Sequence, residues 1–284
     1  MLQHHTKPCD QRAKTSLLLP AGLLAAGLTV GTVAEGAPPA VPPAEPFKVA
    51  NIHMETNASA CDMGAQIGFD TDGITSGSVT DPNGHRIYSF EAKAGMKATG
   101  GQTEGFLENV EPQIPELLSA LGCELSDEEG VMTLADLFEA WPAGVYTFEG
   151  RAKGGAKFLS QATLTHFIPA GPEVTAPAEG TEFPTGAPVI IDWNAVSEAI
   201  LPELGPVTIV GYHVIVEEAT GAEVSPTLDI DLPADKTRLT VPRQYLKPAT
   251  VYRFEVLSTE EGGNQTITEG FFCTQGVGEC VLPE

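Results

Sequence analysis

Basic residues are scarce in this sequence. Fifteen Lys and Arg stand against 38 Asp and Glu in 284 residues, a formal net charge of −23. A surface that acidic repels phosphate backbones and anionic headgroups, which sets nucleic-acid and membrane-surface binding aside. Chemical motifs are scarce too. No Cys-x-x-Cys offers zinc a close ligand pair. There is no His-Glu-x-x-His and no Gly-x-Ser-x-Gly elbow, and Thr75-Ser76-Gly77-Ser78 reads as a turn-rich run. Gly100-Gly101 and Gly154-Gly155 lie in polar turns without the following helix and Lys-Ser/Thr of a phosphate-cradling loop. His53, His85, His166 and His213 are scattered, with His166 and His213 in strand patterns. Carboxylates are so numerous that close pairs arise by coincidence. The expectation is a non-enzyme without a cofactor.

Glycine and proline are plentiful, 30 and 23 residues, which suits a turn-rich β protein and not a helix bundle. Lys7, Arg12 and Lys14 precede an uncharged apolar run from Leu17 to Val33 that ends in small residues. This reads as a secretory signal over residues 1–36, cleaved between about Ala34 and Ala40. An uncleaved anchor is the rival reading; Ala, Gly and Pro20 dilute its Leu content. Loss of residues 1–35 leaves 12 basic and 36 acidic residues, net −24. No later segment is apolar enough to insert in a membrane, so the expected location is secreted, periplasmic or cell-surface. Residues 37–46 hold five Pro and read as an extended Pro-rich linker.

Cys9 falls within the signal, leaving Cys61, Cys123, Cys273 and Cys280. Four cysteines permit three pairings, and an exported chain favours structural disulfides over metal-bound thiols. The short flexible loop between Cys273 and Cys280 could close, in which case Cys61 and Cys123 share the first domain.

The strongest internal feature is a repeat. Residues 142–149 read PAGVYTFE and residues 248–255 read PATVYRFE, six of eight identical at an offset of 106. That offset approximates the length of an immunoglobulin-like sandwich, about 100 residues. Pro fixes φ before the strand, and Tyr146 and Phe148, like Tyr252 and Phe254, fall on one strand face. A tyrosine corner is expected at each, so each copy should lead into a core of its own.

Residues 172–274 resemble a fibronectin type III domain. The resemblance rests on Pro177-Ala-Glu-Gly180, Val189-Ile-Ile-Asp-Trp193 with its core Trp, Val210-Gly-Tyr212-His-Val-Ile-Val216, and Leu246-Lys-Pro248-Ala-Thr250-Val-Tyr252-Arg-Phe254. It implies a spacer, adhesion or recognition scaffold with no catalytic residues. Ser197–Val207 departs from the pattern as an insert after the second strand, and the Arg-Gly-Asp adhesion tripeptide is absent.

Residues 47–170 share only the corner, and are read as an immunoglobulin-like sandwich. Asp81-Pro-Asn-Gly84 forms the turn of a hairpin between residues 77–80 and 86–90. Ile114, Leu117, Leu118 and Leu121, and again Leu134, Leu137, Phe138 and Trp141, fall at helical spacing. Two short amphipathic helices are therefore expected within a helical insert at about 111–141, with Thr133 capping the second and Pro142 stopping it, and an acidic run Glu124–Glu129 between them. The fold class expected is mainly β: two tandem immunoglobulin-like/fibronectin type III-like sandwiches, the first with short helices inserted, then a tail over residues 275–284.

Calcium is the one cofactor with any support. Asp70-Thr-Asp72-Gly73 offers two carboxylates, with Asp62 nearby, but Val79 occupies the position where a helical calcium loop needs Glu. Asn57-Ala-Ser59 and Asn264-Gln-Thr266 match the sugar-acceptor pattern and serve only in a glycosylating host. The partner expected is an unknown protein or glycan, met at sandwich-end loops such as Glu260–Asn264 or Ser197–Val207. Two further function classes are a carbohydrate-binding accessory or polysaccharide-processing protein, which calls for exposed aromatics on a flat face, and a structural subunit of a surface assembly. Trp141 and Trp193 both already have core explanations.

Overall fold

A computed structural model describes residues 43–125, 130–219 and 226–283. The signal expected over residues 1–36, the first part of the expected Pro-rich linker, and most of the acidic run Glu124–Glu129 lie outside the described residues. Fifteen strands appear among the described residues, in chain order β1 (Val49–Asn57), β2 (Asp62–Ile74), β3 (Ser76–Thr80), β4 (Arg86–Glu91), β5 (Gln102–Glu108), β6 (Gly144–Arg151), β7 (Lys157–Leu164), β8 (Val174–Ala176), β9 (Thr181–Phe183), β10 (Val189–Trp193), β11 (Ile209–Glu218), β12 (Thr227–Pro233), β13 (Arg238–Val241), β14 (Val251–Glu260) and β15 (Gln265–Thr274). Three short helices are α1 (Ala94–Ala98), α2 (Pro115–Leu121) and α3 (Leu134–Ala140). The architecture is mainly β, as the patterning predicts.

Alternation builds each layer. In β6 the buried Tyr146, Phe148 and Gly150 alternate with outward Thr147, Glu149 and Arg151. The first sandwich packs β4-β3-β6-β7 against β1, β2 and β5, closing a core that includes Met54, Phe69, Phe148 and Ile114. The second packs β13-β10-β8 against β11, β12, β14 and β15, with Trp193, Tyr212, Tyr252 and Phe272 at its centre. Tyr146 and Tyr252 thus enter two different cores.

The two corners use opposite bonding. The Tyr146 hydroxyl donates to the Pro142 carbonyl at 3.1 Å, whereas the Tyr252 hydroxyl accepts from the Lys247 amide at 2.8 Å. The Lys247 N–H has one proton to give, whereas the Pro142 carbonyl has two lone pairs, so the second corner has more to lose. Tyr252→Phe is expected to cost about 1–2 kcal/mol, roughly 2–8 °C in Tm, and Tyr146→Phe less, both read by thermal denaturation. Equal losses at the two corners would contradict this account.

The helices fall where the spacing predicts. Ile114 and Leu117 are fully buried against the first core, and the Thr133 hydroxyl accepts the Asp136 amide at 3.2 Å as the cap of α3. α1 has no buried residue, and no apolar periodicity marked it. His166 was expected within a strand but lies beyond the end of β7. There its Nε2 sits 2.8 Å from the Trp141 carbonyl and its ring stacks on Phe138 at 3.7 Å.

The sheets of the two sandwiches are continuous. β15 divides one of its edges: Gln265–Ile267 pair in parallel with Glu55–Asn57 of β1, and Phe272–Thr274 pair in parallel with β9. The result is one sheet ordered β12-β11-β14-β15-β1-β2-β5 beneath both cores. Residues 165–171 are fastened along it: Thr266 Oγ1 donates to the Pro169 carbonyl at 2.6 Å and Ser258 Oγ to the Ala170 carbonyl at 2.8 Å. Cys61 is joined to Cys123 and Cys273 to Cys280. The end of the Pro-rich linker is also held, since the Glu45 amide donates to the Lys157 carbonyl and the Leu159 amide to the Glu45 carbonyl, both at 2.8 Å.

Candidate functional site

The loops favoured from sequence as binding loops are occupied by the junction. In the Ser197–Val207 insert, Ile200 and Leu201 are buried in the first core. In the Glu260–Asn264 turn, the buried Glu260 carboxylate accepts the amides of Gly262 at 2.7 Å and Asn264 at 3.0 Å. The Glu260–Asn264 loop is polar because a hairpin turn needs it, whereas Ser197–Val207 crosses from β10 in one sheet to β11 in the other; neither composition distinguishes a docked loop from a free one. Asn264 is wholly buried, which closes that sequon to a glycan.

Two sheet faces gather polar side chains instead. On the outer face of the long sheet, β1 presents His53, Glu55 and Asn57 while Ile52, Met54 and Thr56 point inward. Register sets Glu55 beside Gln265, and Gln66 between His53 and Glu108. Gln66 Nε2 donates to Glu55 at 2.5 Å and to Glu108 at 2.9 Å, and Gln265 Nε2 also donates to Glu55. Glu55, Glu108 and Glu111 each bring a carboxylate oxygen within 4.8 Å of the others, and among the described residues they are the group that could hold a cation. Hard oxygen donors of this kind suit calcium more than a soft metal. The sequence did not single them out, because they come from two strands and a loop. At the aspartates it did single out, Lys48 Nζ lies 2.6 Å from Asp72 and 3.8 Å from Asp70. The protein's own ammonium thus balances that pair.

Burial pushes the Glu55 carboxyl above the usual range, and Glu108 adds to the rise while the bonds from Gln265 and Gln66 oppose it. Glu255 on β14 is raised for the same first reason, then by Glu269. His53 is lowered by burial. A carboxyl raised in the fold stabilises it at low pH and loses that contribution as pH climbs through the raised value; His53 acts oppositely, losing its contribution as pH falls. Glu55→Gln is therefore expected to raise Tm at pH 7.5 and to lose that gain by about pH 4.5. A gain of the same size at both pH values would exclude titration of Glu55 as its source.

The second face is the outer side of β4-β3-β6-β7. Here Ser76 and Ser78 of β3, Ser89 of β4, and Glu149 and Arg151 of β6 line an open groove of 560 Å³, together with Arg86 and Lys157. Arg151 and Lys157 are directly opposed across β6 and β7. Arg86 reaches this face through a register shift: Thr80 pairs with Arg86 but Val79 pairs with Tyr88, so Ile87 is the extra residue of a bulge. Without it, strict alternation would put Arg86 on the side of Tyr88 and Phe90, which pack on the core. Neither the groove nor the bulge was legible in the sequence. A third concavity, of 670 Å³, lies at edge strand β5 beside Phe106, which is 65% exposed. Trp193 is buried and Trp141 packs on the first core, so neither forms an aromatic platform.

No protein-family model matches the chain, and no curated protein matches it. Among solved structures it is similar to the Clostridium perfringens spore cortex lytic enzyme SleM at 14% identity, over 37% of this chain and 27% of that one, with a TM-score of 0.24. The chain therefore spans about a quarter of that enzyme's length. The fn3 domain of human collagen alpha-1(XX) chain matches at 21% identity over 40% of this chain and 89% of that domain, TM-score 0.25. The third fibronectin III domain of human KIAA0343 protein matches at 13% identity over 38% and 85%, TM-score 0.28.

Proposed function

We propose that this protein is a non-catalytic, exported recognition or spacer module, in which residues 172–274 are a fibronectin type III domain and residues 47–170 a second sandwich welded to it. The observation that carries the reading is the sheet continuous through β15 and β1, which makes two cores one stiff body whose junction loops are filled. A rigid unit with two disulfides suits a place outside the reducing cytosol. Among the described residues, no helix is long and apolar enough to cross a membrane. The test is isolation of the native protein from its host. The reading expects a mature chain beginning between about residues 34 and 40, no free thiol, and no turnover of glycoside, ester or peptide substrates. An intracellular chain with reduced cysteines, or turnover that survives purification, would overturn it.

A second reading, a carbohydrate-binding accessory, is favoured by the hydroxyl-lined groove on β4-β3-β6-β7.

A further inference from the structure

We propose that this groove is a binding site for a short stretch of an acidic, uronate-containing polysaccharide. The inference rests on the carbohydrate-binding reading and gives that reading its place and its chemistry.

Unused charge is the first argument. Of the described Lys and Arg, Lys48, Lys93, Lys97, Lys236, Arg238, Lys247 and Arg253 each pair with a carboxylate. Lys153 donates to the Ala98 carbonyl at 2.8 Å. The side chains of Arg86, Arg151, Lys157 and Arg243 make no hydrogen bond or ion pair among the described residues, and the first three line this groove. In a chain with 38 acidic residues to 15 basic ones, a cation finds a carboxylate easily. Three cations left unpaired on one face are held for an anion that the chain does not supply. The bulge at Ile87 strengthens the point, because it costs a ladder position and turns Arg86 onto this face.

Geometry sets the size of the ligand. Arg86 lies in the row of Thr80, and Arg151 in the row of Ser76, two strands across. Strand rise and spacing put them about 16 Å apart, too far for one small anion to span. Between them run the hydroxyls of Ser76, Ser78 and Ser89, none of which bonds to a described residue, and the exposed carboxylate of Glu149. A chain with carboxylates at its ends and hydroxyls along its middle meets every one of these groups: guanidinium and ammonium take the uronates, while Glu149 accepts from sugar hydroxyls. An acidic peptide fits less well, since its side-chain carboxylates would face Glu149 and the shallow face offers no pocket for a side chain. The remaining negative charge of the protein repels any polyanion at long range, but at ordinary ionic strength screening confines that repulsion to about 8 Å.

The test is titration of hyaluronan oligosaccharides, in which neutral sugars separate the uronates, into the full exported chain in about 0.15 M salt, beside neutral malto-oligosaccharides and a polyglutamate peptide. Selective binding of the uronate oligomer, weakened about tenfold or more by Arg151→Glu with Lys157→Glu and untouched by Arg243→Glu, would support the site. These residues are exposed, so an unchanged Tm shows that the fold persists. Binding that the double variant leaves intact, or equal binding of polyglutamate, overturns the proposal. Binding of the neutral oligosaccharide alone overturns it while leaving the carbohydrate reading standing. If no saccharide binds, both fall.

Discussion

Replacing Asn264 by alanine is expected to lower stability by about 3–4 kcal/mol, a fall of roughly 6–16 °C in Tm, far more than its place in a polar hairpin suggests. Its Oδ1 accepts the Met54 amide at 2.8 Å, and its Nδ2 donates to Thr165 Oγ1 at 2.8 Å, the Phe167 carbonyl at 3.1 Å and the Thr165 carbonyl at 3.2 Å. One amide thus joins the turn of the second sandwich to β1 of the first and to the connection between them. Truncation strands a buried N–H and leaves carbonyls without their donor, and no water replaces a side chain at zero exposure without rearrangement. Asn264→Asp is expected to be at least as harmful: the carboxylate still accepts from Met54 but cannot donate, and it brings charge beside the buried Glu260. Urea unfolding followed by fluorescence of Trp141 and Trp193 reads both variants. Because Trp141 borders the first core and Trp193 lies in the second, the junction's role also predicts that one coincident transition becomes two when Asn264 is lost. A loss below about 1 kcal/mol, with the transitions still coincident, would remove Asn264 from this role.

Removal of the Cys61–Cys123 disulfide is expected to be the costliest paired change, about 4 kcal/mol or roughly 8–16 °C. The crosslink closes a stretch of 62 residues, from the start of β2 through β3, β4, β5 and α2. Opening it releases that whole stretch in the unfolded chain, which is where most of the entropy is recovered. The Cys273–Cys280 bond spans seven residues and ties only the tail, so the same reasoning gives about half the effect. Double alanine variants at each pair, compared by calorimetry, separate the two. Equal losses would mean that loop length does not govern the stabilisation.

What could be read from sequence follows the range of the interaction. The corners announced themselves because Pro, Tyr and Phe at fixed spacing act within one strand and its entry. Trp193 and Tyr212 were legible for the same reason, as large apolar residues on alternating faces. The helices α2 and α3 followed from apolar spacing and a Thr cap. The pairing of Glu55–Asn57 with Gln265–Ile267 had no local signature, since it joins strands more than two hundred residues apart and both look like ordinary alternating segments. The same holds for Ile200 and Leu201, which bury in a core formed by the other half of the chain. The groove was hidden for another reason. Alternation assigns Arg86 to the wrong face, and only the register shift at Ile87 corrects it.

The parallel meeting of β1 and β15 governs how the molecule bears tension. The leading end of β1 and the trailing end of β15 point in opposite directions along adjacent, co-directional strands. A pull on the two ends of the chain therefore shears the bonds at Glu55–Asn57 and Gln265–Ile267 together, and does not peel them apart one by one. The β9–β15 pairing is co-directional too and sits further along the same strand, placing a second clamp in line with the first. The weld between the halves is thus loaded as one set of bonds and not in sequence.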